Sequence, residues 1–313
     1  MAQSDTGGEG FNRGGRTSFQ FLKIGVGARQ AGLGEASIAS VRDLSSAYWN
    51  PAGITGIENY EVALTYTRWL ADMDYVAGAI GGSVGGIGSF ALTVAALDYG
   101  DIPEAILNGQ SDGRTGETFS GGDLMLGAVF ARQFTEQLSI GIGVKYLHET
   151  LWEFGSSTLA FDVGSTYDVG FRGIQIAMAA QNFSGPASWR GEESDRQEGY
   201  DLPLIYRIGV SANIVGEDAF VPTLGRTHNL VGSVEAIHSN DYSERLHLGI
   251  EYVFNDLFAV RSGYRLNYAE GNFSVGAGLT PSAMGGIRLR LDYAYVGYEM
   301  LAAPHRFTVG FAF

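Results

Sequence analysis

The chain has 313 residues, 46 of them Gly and none Cys, and a net charge of −14 with only two lysines, Lys23 and Lys145. Such an acidic balance excludes a nucleic-acid binder, which needs a basic surface, and the lack of Cys excludes a disulfide scaffold, an iron–sulfur centre and thiol chemistry. Charged residues are 17% of the chain, below the ~25% of ordinary globular proteins, and Gly is roughly twice its usual share.

Residues 1–58 follow no strand rhythm. Met1 to Asp5 lacks the basic and apolar regions of a signal peptide, so an exported form reads as a mature chain behind a Met. The first sixteen residues form a Gly-rich lead. Phe19 to Ile57 then mixes small and apolar residues, with one short helix expected around Val41 to Tyr48. Asn50-Pro51 favours a turn, because Pro fixes its own φ and keeps the preceding residue out of helical space. Gly53 is expected to relax the backbone after it. A segment too small to fold alone, set before a barrel, most economically sits inside the barrel as a plug or hatch. Arg29 would be costly there unless paired with an interior carboxylate. Candidates are Glu61, Asp162, Glu235, Glu251 and Asp292.

From about Tyr60 onward, period two dominates. Tyr75 to Leu97 carries no charge and is long enough for a membrane helix, but its six glycines oppose helix, so two strands are expected. Leu138, Ile140, Ile142, Val144 and Tyr146 alternate with Ser139, Gly141, Gly143 and Lys145. Phe307, Val309, Phe311 and Phe313 alternate with Arg306, Thr308, Gly310 and Ala312. Each segment has one large apolar face and one of Gly, Ala, Ser and charges. Strand segments fall near 60–69, 73–82, 87–98, 122–132, 138–150, 157–168, 173–182, 204–215, 227–237, 244–254, 257–267, 271–280, 287–297 and 304–313.

A soluble sandwich would also alternate. Segments of about ten residues, aromatics near segment ends and charges among glycines on the second face favour a membrane barrel. The fold class expected is therefore all-β: a transmembrane antiparallel barrel of about 14 strands over residues 59–313, with residues 1–58 as lead and plug in the lumen. Long connections (99–121, 151–156, 183–203, 298–303) belong outside and tight turns on the periplasmic side. The short first outer loop and the long connection 216–226 depart from this. Outward apolar stripes imply outer-membrane lipid as a partner, and terminal Phe313 resembles the assembly signal of outer-membrane barrels.

Motifs for chemistry are weak. Gly81-Gly82-Ser83-Val84-Gly85 fits a serine-hydrolase pattern but lacks the strand-to-helix elbow that pattern needs. The five histidines show no paired metal spacing, and His238 near Asn240 and Asp241 reads as a polar loop. No enzyme activity, metal or cofactor is expected. Trp152, Phe154, Trp189, Arg190 and Tyr200 in the outer loops have the composition of protein-contact hot spots.

Phe21-Leu22-Lys23-Ile24-Gly25-Val26-Gly27-Ala28-Arg29-Gln30-Ala31-Gly32-Leu33-Gly34, followed by Ser46-Ala47-Tyr48-Trp49-Asn50-Pro51-Ala52-Gly53-Ile54, resembles the PorV/PorQ family of bacterial outer-membrane proteins. That family is similar to FadL-type fatty-acid transport barrels, with fourteen strands, an N-terminal hatch and an Asn-Pro-Ala element. The resemblance implies the bacterial outer membrane, and hatch roles for Arg29, Asn50, Pro51, Ala52 and Gly53. It also implies that secreted or surface-anchored proteins and other components of a type IX-like secretion system are partners. Charges on the inward face (Arg288, Arg290, Asp292, Arg261, Arg265, Glu251, Lys145, Asp162) suit a filled, cross-bridged lumen. The expected function is accordingly a non-enzymatic, protein-binding barrel. The alternative is a FadL-like channel for uptake of hydrophobic small molecules.

Overall fold

The computed structural model describes residues 17–105, 114–189, 199–223, 227–281 and 286–313. Fourteen antiparallel strands among the described residues close into one barrel. They are β1 (Tyr60–Arg68), β2 (Asp74–Val84), β3 (Gly88–Asp98), β4 (Gly121–Gln133), β5 (Leu138–Leu151), β6 (Phe154–Asp168) and β7 (Gln175–Phe183). β8 (Ile205–Gly216), β9 (His228–Ser239), β10 (Arg245–Phe254), β11 (Phe258–Leu266), β12 (Phe273–Leu279), β13 (Arg288–Gly297) and β14 (His305–Ala312) complete the wall. Each strand pairs with its sequence neighbours, and β1 pairs with β14 to close the ring. All fourteen expected segments are strands.

Facing follows the period-two pattern. Leu64 stands opposite Val309 and Thr65 opposite Thr308. The first pair is 62% and 38% exposed, the second 6% and 5%. Large side chains such as Leu92, Ile142, Val260 and Phe311 cover the outside, and small or charged ones face in. With the barrel closed, no backbone edge faces hydrocarbon, and an apolar exterior of this extent requires lipid. The uncharged run 75–97 is indeed two strands. The chain reverses at Gly85–Ile87, where Gly86 has φ 78° and Gly88 φ 146°, values open to Gly.

The connection between β8 and β9 is long for the short-turn end, and it has a local job. Asp218 accepts from the backbone N–H groups of Arg172 (3.1 Å) and Gly173 (2.9 Å), bracing the β6–β7 turn. Arg172 also lies over the rings of Phe171 and Phe220 at 4.9 and 4.8 Å.

Residues 17–57 are almost wholly buried against the inward faces of the strands. They hold a 3-10 turn at Gln20–Lys23, the short helix α1 (Ala28–Gly32), and 3-10 helices at Leu44–Tyr48 and Pro51–Gly56. The helix expected from Val41 is thus shorter and tighter. It begins at Asp43, whose carboxylate accepts from Ser45 N (2.8 Å) while Ser46 Oγ accepts from Asp43 N (3.3 Å). Inward glycines make the seat. Gly32 of α1 rests on Gly276 of β12, where a Cβ on Gly32 would lie 3.1 Å from the facing Cα. A methyl at Gly164 or Gly141 would overlap Asn50 or the Pro51–Ala52 peptide.

Candidate functional site: the barrel lumen

Two kinds of wall line the lumen. On β8–β14 it is charged and paired. Arg29 of α1 donates from Nη2 and Nε to the two oxygens of Glu251 at 2.6 and 3.0 Å, and from Nη1 to Asp43 at 3.2 Å. Arg261 bridges Glu251 (2.5 Å) and Asp292 (2.6 Å), and Arg290 meets Asp43 at 2.5 Å. Arg207 donates to Glu235 at 2.7 Å, whose second oxygen accepts from the N–H groups of Ser37 and Ile38 at 3.0 and 3.2 Å. Glu35 lies between Arg265 (3.4 Å) and Arg306 (3.8 Å). Burial raises the pKa of Asp43, but Arg290, Arg29 and the Ser45 hydrogen bonds outweigh it and hold the carboxyl well below its ordinary value.

The other wall, on β2–β6, carries an apolar patch. Tyr75, Leu97, Met125 and Leu147 face inward with Ala77, Ala95 and Ala160, and bury Phe19, Phe21, Ile24 and Val26. Trp69, Met73 and Tyr99 close the cluster at the end carrying the long connections. Parity within each strand is the signal that sequence reading passed over. Leu147 continues the inward series Ser139, Gly141, Gly143, Lys145, so a large apolar side chain interrupts a small and polar face. Lys145 is not loose between the walls, since it pairs with Asp162 at 2.5 Å and donates to Asn182 at 3.0 Å.

At the short-turn end, two cavities of about 260 and 650 Å³ share Arg29, Thr280, Arg288 and Arg290. They form a polar vestibule beneath the N-terminal segment. The segment's Asn50-Pro51-Ala52-Gly53 element lies on the wall of β5 and β6. Asn50 caps the following 3-10 helix, accepting from Ala52 N (3.1 Å), and its amide donates to Ser165 O at 3.1 Å. Pro51 takes the first helical position, where its missing N–H is no loss. Gly53 does not relax the backbone as expected. It has an ordinary negative φ and is small because Ser46 packs directly against it.

The outer aromatics do not converge on one surface. Trp152 and Phe154 are exposed at the β5–β6 hairpin, with Trp152 6.1 Å from Phe119. Tyr200 is exposed on the next loop. Trp189, expected to point outward, is only half-exposed and its indole donates to Ser18 at 3.2 Å, facing the N-terminal segment instead. Arg190 lies outside the described residues. Phe313, the last residue, is exposed and its N–H donates to Tyr60 O at 2.9 Å. His238 meets exposed Glu244 at 3.3 Å, while Asp241 binds Ser239, Thr17 and Lys23, so the polar loop reading stands.

No family model matches the chain, and no curated protein does. Solved structures do. A toluene transporter of Ralstonia pickettii, TbuX, superposes with a TM-score of 0.58 at 12% identity, over 92% of this chain and 97% of that one. The Pseudomonas putida toluene transporter TodX gives 0.57 at 13% identity, over 92% and 96%. A Pseudomonas aeruginosa FadL homologue gives 0.54 at 11% identity, over 91% and 96%. At these identities the likeness is one of fold: the chain has the fold of FadL-like outer-membrane β-barrels. The solved structures named here are transporters or a FadL homologue, and the PorV/PorQ resemblance draws no support from them.

Proposed function

We propose that this protein is a channel of the bacterial outer membrane for uptake of hydrophobic small molecules, with residues 1–58 as its plug or hatch. The observation that carries the reading is the apolar inward wall of Tyr75, Leu97, Met125 and Leu147 beneath the long connections, in a barrel whose fold is that of hydrocarbon transporters. A greasy chamber at the outer end gives an apolar molecule a place to leave the lipopolysaccharide-facing surface. Asn50, Pro51, Ala52 and Gly53 anchor the hatch to β5 and β6, and Arg29 ties it to β10. The polar vestibule at the other end releases cargo, because an apolar molecule gains little from a wall of paired charges.

The charged inward face, which favoured a filled protein-binding barrel, belongs mainly to one side of the lumen and leaves the apolar side intact. The expectation of a protein-docking barrel in secretion accordingly yields to its alternative. Trp152, Phe154 and Tyr200 remain exposed on separate outer loops, and Trp189 is no outward anchor. The test is uptake of toluene by cells carrying the barrel against cells lacking it, in an otherwise identical outer membrane. Faster uptake with the barrel is expected, and equal rates would end the transport reading. Copurification of secreted proteins with the solubilised barrel would instead restore the docking one.

A further inference from the structure

We infer that the N-terminal segment crosses the barrel once, from the outer mouth to the periplasmic end, so that the chain preceding Thr17 is presented at the cell surface. It forms there a peptide arm open to proteins outside the cell and closed to those of the periplasm. The inference rests on the orientation of the barrel in the outer membrane and is independent of what the lumen carries.

One strand serves as a ruler. β5 runs from Leu138 at the short-turn end to Leu151 at the long-connection end. Phe19 N donates to Glu149 near its outer end at 2.7 Å, and Thr55 Oγ1 lies 3.2 Å from Ser139 Oγ near its inner end. Glu149 and Ser139 are separated by about 33 Å of strand. Residues 19 to 55 therefore span the wall from one side to the other.

The two ends of the segment are fixed at opposite mouths. At the outer one, Ser18 N donates to Asp201 O at 3.0 Å, Thr17 Oγ1 to Asp241 at 3.1 Å, and the Trp189 indole to Ser18 Oγ at 3.2 Å. Trp189 and Asp201 belong to the β7–β8 connection and Asp241 to the β9–β10 connection, both at the long-connection end. At the other mouth Arg288 donates to Glu58 at 3.3 Å, and the chain enters β1 at Tyr60, whose carbonyl accepts from Phe313 N. Short turns face the periplasm, so Thr17 stands on the outer side.

Direction follows from a single bridge. Thr17 pairs with Asp201 in parallel, and Asp201 leads down into β8, which starts at Ile205. Thr17 thus also heads inward, and the residue before it lies on the outward side. There is no room for that chain to turn back through the lumen. Phe19 and Phe21 are 0% and 3% exposed beneath the mouth, packed with Leu97, Met125 and Leu147. The cavity beside Leu22 to Val26 is about 30 Å³, the space of one water and not of a polypeptide.

The chain has no Cys, so introduced thiols report the side of the membrane. Ser4→Cys lies in the arm, Glu153→Cys in the exposed β5–β6 hairpin at the outer end, and Glu136→Cys in the exposed β4–β5 turn at the periplasmic end. With a bulky, membrane-impermeant maleimide, intact cells should label Ser4→Cys and Glu153→Cys at similar rates, both at least tenfold faster than Glu136→Cys. Permeabilising the outer membrane should bring Glu136→Cys to the same rate. Ser4→Cys that labels only after permeabilisation puts the arm in the periplasm, and protection under both conditions puts it in the lumen. Either result overturns the inference. Where a variant does not assemble, trypsin added to intact cells carrying the unaltered chain serves instead. Release of peptides ending at Arg13 or Arg16 is expected, and an N-terminus that is cut only after permeabilisation overturns the inference. Toluene uptake by the same cells bears on the transport reading alone.

Discussion

Arg29 shows how a single side chain fastens the N-terminal segment. It meets Glu251 with two nitrogens and Asp43 with a third, and Arg261 and Arg290 share those carboxylates. Replacing it with Met leaves each carboxylate with one arginine, Arg261 for Glu251 and Arg290 for Asp43. Removing one member of a buried pair costs about 3–5 kcal/mol, and the remaining arginines hold this loss near or below the lower end. Guanidinium unfolding of the barrel from lipid should read it. Asp43 adds a pH signature. Its folded pKa lies below the unfolded value, so its contribution is complete above about pH 4 and lost as pH falls through the folded pKa. Melting temperature should hold level from pH 7 to about 5 on this account and fall in stronger acid, with a shallower fall in Asp43→Asn, which starts from a lower value.

At the scale of elements, strand and segment constrain each other through β14. Val309 faces lipid, and Val309→Arg should cost about 2–4 kcal/mol where it sits near the bilayer middle. Thr308, next to it in the chain, faces the lumen. The structure gives it a role: its hydroxyl accepts from Ala28 N at 2.9 Å and bonds Thr65 Oγ1 at 2.9 Å. Thr308→Val should leave the Ala28 N–H unpaired at a cost of about 1–3 kcal/mol, loosening α1 without preventing membrane insertion. Protease sensitivity of residues 17–57 in assembled barrels separates the two variants. Gly164→Val tests the seat in the same assay. Its side chain takes the space of Asn50, so cleavage near Asn50 should rise while heat-modifiable gel migration of the barrel persists.

For the molecule as a whole, the sided lumen predicts how it conducts. With residues 17–57 packed across it, the intact barrel should show no large steady pore in planar bilayers. Deleting residues 1–58 removes the segment's own contacts to Glu251, Glu235 and Arg290 and should open a water-filled path, read as large conductance steps. Large steps already in the intact barrel would contradict the proposed plug. The Asn50-Pro51 turn was legible because Pro restricts its neighbour, and Glu251 stood among the candidate partners of Arg29 because an interior Arg needs a carboxylate. The apolar chamber was not legible from listing the charges of the inward face, since a list carries no position around the ring.

The sequence by itself determined the fourteen strands, their facing and the antiparallel order, because period two, segment length and turn chemistry are local properties that neighbours in the chain supply. It also determined that residues 1–58 lie outside that rhythm. Only the tertiary structure decided which inward residues meet. Closing β1 onto β14 places Arg306 opposite Thr67, 239 positions earlier in the chain. Curling the sheet sets an apolar patch on β2–β6 against a charged wall of β8–β14, and drops Phe19 and Phe21 between them. Those contacts depend on which strands face each other across a closed ring, a relation that no stretch of sequence contains.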